Sequence, residues 1–489
     1  MLLVSGLLVW QAFVHKRTNA LSMPPSPPSN HWLWGHVLPK EYPFLQIDKW
    51  IAEYGPVITL RTGFTKHVQI GRQQALIDIM ERQGTVLADR PHAISTSELF
   101  AQGASIGFVP AGERIKSMRR ALHTYLAPRA AEHYEPLITV HARAFILDLL
   151  DNPYDFQEHA KTFSSSLVLQ VAYGKDTLTR ASDPSVQQVQ DQNERLRLVM
   201  SPGAYLVDTI PMLKYLPWYA RRLKDGFKKD KELFESHLDD IETKMNNGDP
   251  NPSFARHLLE HEEQYQLSRI DMAFLAGALF SAGSDTTATG ICGILLSLAL
   301  HQEEQCMVSE EMDRIVGTER VPVFGDEDSL PILRAFIAET IRWRPIAPLA
   351  LAHKTTADVY WDKYCILAGT TVQGSIWASS RDPDFYSDPE KFDIKRWLTT
   401  RAFREDMKFL AFGYGRRACP GQHLANRSLL INTMLVVWSF HLSMSPIKDC
   451  DDRLYLSGFP HQRAYDLRFK SRMGSDTLRD AIRRPAILT

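Results

Sequence analysis

The chain has almost no net charge and few cysteines, and both shortages narrow what it can be. Its 489 residues carry 56 Lys and Arg against 57 Asp and Glu, a formal net charge of -1. No overall field draws it to nucleic acid, and any charged binding face must be built from local clusters. The five cysteines, Cys292, Cys306, Cys365, Cys419 and Cys450, are an odd number without a CxxC pair, which argues against a disulfide framework or a zinc site. At least one thiol is left free, as suits a reducing compartment. There is no internal repeat and no low-complexity tract. With 44% hydrophobic residues the chain can bury a large core, and nothing in its composition divides it.

The first residues, Met1 to Val14, form an apolar run followed by His15-Lys16-Arg17 and the stiff Pro24-Pro25-Ser26-Pro27-Pro28. As a helix, Leu2 to Val14 would span roughly 20 Å, short of the ~30 Å hydrocarbon core. A cleaved signal peptide competes with a retained anchor. No small-x-small cleavage site ends the run and the prolines make a natural spacer, which favours an anchor over 1–20, a hinge over 21–30 and a folded body over 31–489.

Beyond the hinge, apolar spacing predicts a helix from Phe44 to Tyr54 and a strand pair, Val57–Leu60 and His67–Ile70, around Gly63. Further helices are expected at Gln73–Gln83, Glu113–Leu126, Ala130–Leu150, Ser164–Tyr173, Lys224–Asn246, Arg269–Leu300, Gln302–Val316 and Leu330–Arg344. Short extended stretches return at Tyr360–Tyr364, Thr371–Gly374 and Leu454–Arg468. The fold class is mainly α with small β-sheets. The stretch Ser201 to Tyr219 is apolar and broken by three prolines, so it cannot be one regular helix. With the basic run Arg221 to Lys231 it suits a membrane interface, or else a loop and a solvated helix face.

The strongest chemical signal is Phe412-Gly-Tyr-Gly-Arg-Arg-Ala-Cys-Pro-Gly421, ahead of a helical pattern from His423 to Phe440. Glycines let backbone N–H groups approach a sulfur, nearby cations lower its pKa, and a thiolate binds metal. Gly413-x-Gly415-x-x-Ala418 also matches a dinucleotide fingerprint, but no acidic residue lies between Gly413 and Asp449 to take a ribose. A buried structural cysteine would have no use for the flanking arginines.

Phe412, Gly415, Arg417, Cys419 and Gly421 resemble the Phe-x-x-Gly-x-Arg-x-Cys-x-Gly signature of the cytochrome P-450 family, most like fungal microsomal members. The resemblance implies a single haem domain with an N-terminal anchor, haem b held by Cys419, and Phe412 beside it. Ala282-Gly-Ser-Asp-Thr-Thr287 resembles the family's oxygen-activating stretch, with Thr286 against O2 and Asp285 behind it in a proton relay. From the residues alone, that stretch is either close helix packing or a local opening of the ladder, where a Thr hydroxyl bonds the carbonyl four residues back. Glu339, Arg342 and Arg396 match the family's buried structural triad, with Ile394 where a proline is usual and Trp397 where Phe is common. In Glu113 to Arg120, Ile115 replaces the usual Trp, while Arg119 remains as a propionate contact with Arg417 and His353.

The implied function is monooxygenation of a small lipophilic substrate by hydroxylation or epoxidation, in fungal secondary metabolism. O2 is the co-substrate, and electrons come from NADPH through a separate cytochrome reductase, since the chain carries no flavin or nicotinamide module. The expected setting is the endoplasmic reticulum membrane, with the catalytic domain facing the cytosol. A haem-thiolate isomerase or peroxygenase would need neither reductase nor relay, and a haem sensor would carry an effector module. By the same resemblance the pocket draws on His92–Phe108, Ser201–Leu216, Phe274–Thr286, Ile346–Ala352 and Ser457–Pro460, mostly apolar. The cations Arg114, Lys116, Arg120, Arg401, Arg404, Lys408 and Arg416 are expected to form the reductase-docking face.

Overall fold

The computed structural model describes residues 21–175, 178–400, 402–406, 411–445 and 465–484, so the expected anchor, Arg401, Lys408, Cys450 and Ser457–Pro460 lie outside the described residues. The principal helices are α1 (Pro43–Tyr54), α2 (Glu113–Leu126), α3 (Glu135–Asp151), α4 (Phe156–Tyr173), α5 (Pro184–Met200), α6 (Arg221–Asn246), α7 (Arg269–Leu300), α8 (Gln302–Ile315), α9 (Pro331–Trp343) and α10 (Gln422–Ser439). The strands are β1 (Val57–Thr62), β2 (Thr65–Ile70), β3 (His353–Lys354), β4 (Val359–Trp361), β5 (Tyr364–Ile366), β6 (Thr371–Gly374), β7 (Phe440–Met444) and β8 (Leu467–Ser471). They form one four-stranded sheet, ordered β1-β2-β6-β3, and the hairpins β4-β5 and β7-β8. The mainly helical class with small sheets is as the sequence predicts.

The core is organised on α7. This helix has buried residues all round its circumference rather than one apolar stripe, the pattern of a helix wrapped by others, and Ser268 and Asp271 cap its start reciprocally. It alone among the described helices is long and apolar enough to cross a membrane, yet most of that stretch is packed inside the protein. Its glycines admit neighbours. An added Cβ at Gly283 would lie 2.4 Å from Val168 of α4, and one at Gly277 would lie 2.5 Å from the Phe234 ring of α6. The Ser164 hydroxyl of α4 donates to the Ser284 carbonyl at 2.5 Å, and Phe227 of α6 stacks on Phe274.

Several boundaries differ from the sequence reading for physical reasons. The expected Ala130–Leu150 helix is two helices, Pro128–His133 and α3, because Pro136 has no N–H to continue the ladder and so begins a helix instead. α4 begins earlier, at Phe156. Helix α5 was not expected, since its sequence is mostly polar; its start is set by Asp183, which accepts from Ser185 N at 2.9 Å, and by Pro184. The segment read as a hinge is bonded to the body: Thr59 donates to the Pro24 and Pro25 carbonyls and Cys365 N to Ser22.

Glu339 and Arg342 of α9 are both fully buried and joined by two hydrogen bonds of 2.7 Å. Arg396 Nε reaches Glu339 at 3.1 Å, Asp393 N at 2.8 Å, and Trp397 Nε1 at 2.9 Å. The tryptophan standing where a phenylalanine is common therefore supplies a donor that phenylalanine lacks. Arg342 also donates to the carbonyls of Ser380, Pro389 and Lys391. One buried carboxylate thus ties α9 to the irregular segment leading towards Cys419.

Replacing Glu339 by Gln leaves two guanidinium groups facing each other without a countercharge, a loss of about 3–5 kcal/mol; little soluble, folded protein should be recovered. Trp397→Phe removes one charge-assisted bond, about 1.5–3 kcal/mol, and should give folded protein with a lowered thermal midpoint. An unchanged midpoint in Trp397→Phe would show that the indole N–H adds nothing.

Candidate functional site

The loop before α10 is shaped by its glycines. Gly413 and Gly415 both have positive φ, and a Cβ at Gly415 would meet the Met80 carbonyl oxygen at 2.6 Å; neither position suits another residue. Gly415 N donates to Glu81 at 2.6 Å, and Cys419 N donates to the Phe412 carbonyl at 2.8 Å. Phe412 is half-buried. Cys419 is free and carries accessible surface, yet enough protein surrounds it for burial to push its thiol pKa up, against the Gly421 N–H and Arg119, which pull it down. A side chain that is both accessible and desolvated borders an interior space.

The core helix opens on such a space too. Between buried Phe280 and Thr287, Ala282 is exposed and Thr286 half-buried. One turn beyond Thr286, a Cβ on Gly290 would touch Leu429 of α10 at 2.9 Å and Ile346 at 3.2 Å. Leu429 lies two turns into the helix that follows Cys419, so the crossing brings both motifs towards one region. Leu351, 39% exposed, and exposed Ala347 supply further apolar surface from the segment after α9. The helix itself is unbroken from Arg269 to Leu300. Its hydroxyls bond the carbonyls four residues back, as the sequence reading allowed for a Thr here: Thr286 to Ala282 O at 2.7 Å, Thr289 to Asp285 O at 2.9 Å, and Ser284 to Phe280 O at 2.7 Å.

Asp285 points to the other side of α7. Its Oδ2 accepts from Asn193 Nδ2 of α5 at 2.9 Å and lies 3.7 Å from Arg197. Burial raises its pKa, while Asn193, Arg197 and Lys161 oppose the rise. There Asp285, Gln157, Lys161, Gln190, Arg197 and Thr289 line the polar side of a cavity of about 110 Å³ whose other lining is Ala288 and Cys292.

Beside the thiol loop stands a group of cations. Arg417 donates to Ala88 O at 2.7 Å and Val109 O at 2.8 Å, and Arg119 donates to Ala418 O at 2.9 Å. Arg90, which sequence reading missed, is 8% exposed and donates to the Leu351 and Ala352 carbonyls, and its Nε is buried without a partner. Burial, with Arg417 and Arg119 nearby, pushes Arg90 down to about 9, and burial with Arg119 pushes Arg417 down to about 10. The signal for Arg90 was Asp89-Arg90-Pro91, a charged pair in an apolar stretch. His353 is less useful than expected. Its Nδ1 donates to the Leu87 carbonyl at 2.6 Å, and burial with Arg90 nearby pushes it down to about 4. A neutral ring so arranged has no hydrogen on Nε2 to offer a carboxylate.

These features fit a haem. An incoming propionate would accept from the orphan Arg90 Nε and relieve the mutual repulsion of three arginines. Among the described residues no three His, Cys, Asp or Glu side chains converge as a metal site; Cys419 is the residue that would hold the iron of a haem. The expected docking cations are partly engaged: Arg114 pairs with buried Asp271, Lys116 with Glu113, and Arg404 with Asp406.

The family model described as Cytochrome P450 matches residues 24–464. Cytochrome P450 monooxygenase 113 of Postia placenta is 42% identical over 436 residues, covering 89% of this chain and 88% of that one. Cytochrome P450 monooxygenase 64 of the same fungus is 40% identical over 444 residues, 90% of each chain. Cytochrome P450 monooxygenase fogE of Aspergillus ruber is 31% identical over 430 residues, 85% of this chain and 80% of that one.

Arg90→Leu keeps the apolar stem and removes the guanidinium. If Arg90 holds a propionate, transfer of haem from the variant to an acceptor globin should be about tenfold faster or more, since such bonds contribute about 1.5–3 kcal/mol. Equal transfer rates would remove Arg90 from the site.

Proposed function

This chain belongs to the cytochrome P450 family and is a monooxygenase, and from that premise we propose that it inserts one oxygen atom from O2 into a small lipophilic substrate, by hydroxylation or epoxidation, in fungal secondary metabolism. The observation that carries this reading is the pairing of an accessible thiol, Cys419, with the apolar, accessible face of α7 that bears Thr286. When bound, a thiolate-ligated haem supplies reductive activation of O2, with electrons from NADPH delivered by a separate reductase.

The protein's own contribution follows from its geometry. The Gly421 N–H and Arg119 favour the anionic form of Cys419, as an iron ligand requires. Arg90, Arg119 and Arg417 are the residues that would bind the propionates. Thr286 offers a hydroxyl on the substrate side of α7, and in this structure its proton is given to Ala282 O. Asp285, whose carboxyl pKa is raised, can hold a proton nearer neutral pH than an exposed aspartate, and the polar cavity behind it connects that carboxyl to Lys161 and Arg197. Substrate-side surface on the described residues is supplied by Ala282, Ala347 and Leu351, none of them charged, which suits a lipophilic molecule.

Support for membrane attachment comes from a composite apolar surface. Trp32 and Phe64 are 85% and 86% exposed, and Met212, Tyr215 and Trp218 project from the proline-broken stretch. Gly63 N is bonded to Trp34 O, and a Cβ at Gly63 would lie 3.5 Å from Thr209, so the three segments adjoin. Aromatic and apolar side chains gathered in this way suit a lipid interface, the endoplasmic reticulum being the proposed one. For the reductase, Arg120 and Arg416 are exposed and remain the proposed docking cations.

Cys419→Ser should abolish monooxygenation and the thiolate-type spectrum of the reduced carbon monoxide complex, because a neutral hydroxyl is a poor iron ligand; persistence of that spectrum would place the ligand elsewhere. Thr286→Ala should retain haem and substrate binding while diverting NADPH equivalents to peroxide. Undiminished coupling of NADPH to product in that variant would exclude Thr286 from proton delivery.

A further inference from the structure

The loop that carries Cys419 packs against a wide helical turn, Ile77–Glu81, in which Arg82 N bonds the Ile77 carbonyl five residues back at 2.9 Å, one residue more than in an α-helix. Polar contacts brace the turn. Asp78 accepts from Gln74 Nε2 at 2.9 Å, Arg82 Nη1 at 2.7 Å and Trp361 Nε1 of β4 at 3.2 Å. Gln83 Nε2 donates to the carbonyls of Asp78 and Tyr360 at 3.2 and 3.1 Å. Ile79 and Met80 of the turn are buried in one apolar cluster with Leu76 and with Tyr414 of the thiol loop.

Turn and loop meet backbone to backbone. A Cβ at Gly84 would lie 3.6 Å from Gly415 Cα, and one at Gly374 would strike the Tyr414 ring at 2.4 Å. At this contact Glu81, the last residue of the turn, accepts from Gly415 N at 2.6 Å. The positive φ of Gly413 and Gly415 gives the chain between Phe412 and Cys419 wide backbone freedom, so its restraint has to come from outside. Among the described residues two side chains from elsewhere bond the loop's backbone: Glu81 at Gly415 N and Arg119 of α2 at Ala418 O. The short turn Gly415–Arg417 runs between them, Ala418 N returns to Gly415 O at 3.2 Å, and Cys419 N returns to Phe412 O at 2.8 Å. Arg119 is also a candidate propionate contact, which leaves Glu81 as the hold with no second duty.

We propose that Glu81 is a positioning residue for the iron ligand: by holding Gly415 N it keeps the Cys419 loop in the conformation that presents the thiolate. This rests on the reading of Cys419 as the haem ligand. Glu81 is exposed and Gly415 half-buried, so loss of the carboxylate leaves an N–H that water can reach and costs the fold as a whole little. What it loses is the fixed register of the loop, and the sulfur then leaves the iron or takes a proton more often. Glutamine keeps the acceptor and gives up only the charge assistance of the bond, which separates position from charge.

The test follows the reduced carbon monoxide complex of the haem-loaded full chain in time. Glu81→Ala should lose the thiolate-type spectrum about tenfold faster than the parent, the order expected for one hydrogen bond to a charged group, with the thermal midpoint of the whole protein unchanged. Glu81→Gln should lose it no more than about threefold faster, since only the charge assistance is gone. Hydrogen exchange of the segment 412–421, read by mass spectrometry, should quicken at a single amide in Glu81→Ala and stay near the parent in Glu81→Gln. A parent-like rate of spectral loss in Glu81→Ala, or equal acceleration in the two variants, would overturn the positioning role. A parent without the thiolate-type spectrum would overturn the haem reading itself and this inference with it.

Discussion

The rest of the structure depends on a carboxylate kept out of water. Glu339 has no exposed surface and takes five donors: two from Arg342 and one each from Arg396, Trp397 and Asp393 N. Burying an ion costs several kcal/mol, recovered only when its partners are complete and well placed. Here those partners come from α9 and from the irregular segment 380–397. That segment has few backbone partners of its own, and its inward carbonyls are met by Arg342 and Arg396. A loop whose shape is fixed by buried charge needs no regular secondary structure to be rigid, and it is this loop that precedes the thiol.

A second set of arginines, Arg90 buried and Arg119 and Arg417 half-buried, follows the opposite logic. Arg90, Arg119 and Arg417 face one another, and Asp89, the nearby carboxylate, also accepts from Ala111 N at 2.7 Å. Each of the three has its pKa lowered, with burial the largest cause. The first set is satisfied by the protein and holds the fold. The second keeps a buried donor unmatched on Arg90 Nε, and its electrostatics improve when an anion arrives. Structural and ligand-binding arginines are thus distinguished by whether their countercharge is part of the chain.

Much of this was legible in the sequence wherever one physical signal dominated. The ends of α2 and α7 coincide with the expected ones because each has a clear break on both sides: Gly112 and Ala127 for α2, Ser268 and His301 for α7. Helix α5 was illegible because its buried residues are few, Val186, Val189, Arg195 and Val199, on an otherwise polar sequence. Cys419, Thr286 and the Glu339 triad stood out through motif spacing. Arg90 carried no such spacing, and its burial is created by segments that come together only in the fold. Trp397 looked like a departure from pattern; only the distance to Glu339 reveals it as an added donor. His353 was read as a propionate contact, and burial beside Arg90 pushes its pKa down to about 4.

Helix α5, the element least visible in the sequence, combines apolar packing with a hold on Asp285 of α7. Val199 and Leu196 pack in an apolar cluster with Leu99, Phe100, Val207 and Leu223, while Asn193, three residues before Leu196, holds the carboxyl of Asp285. Arg197 lies on the same helix and lines the polar cavity with Asp285. A helix behaves as a stiff rod over such a distance, because its backbone bonds are made internally. Displacing α5 would therefore shift Asn193 and Arg197 together, removing from Asp285 two of the three groups that oppose its raised pKa.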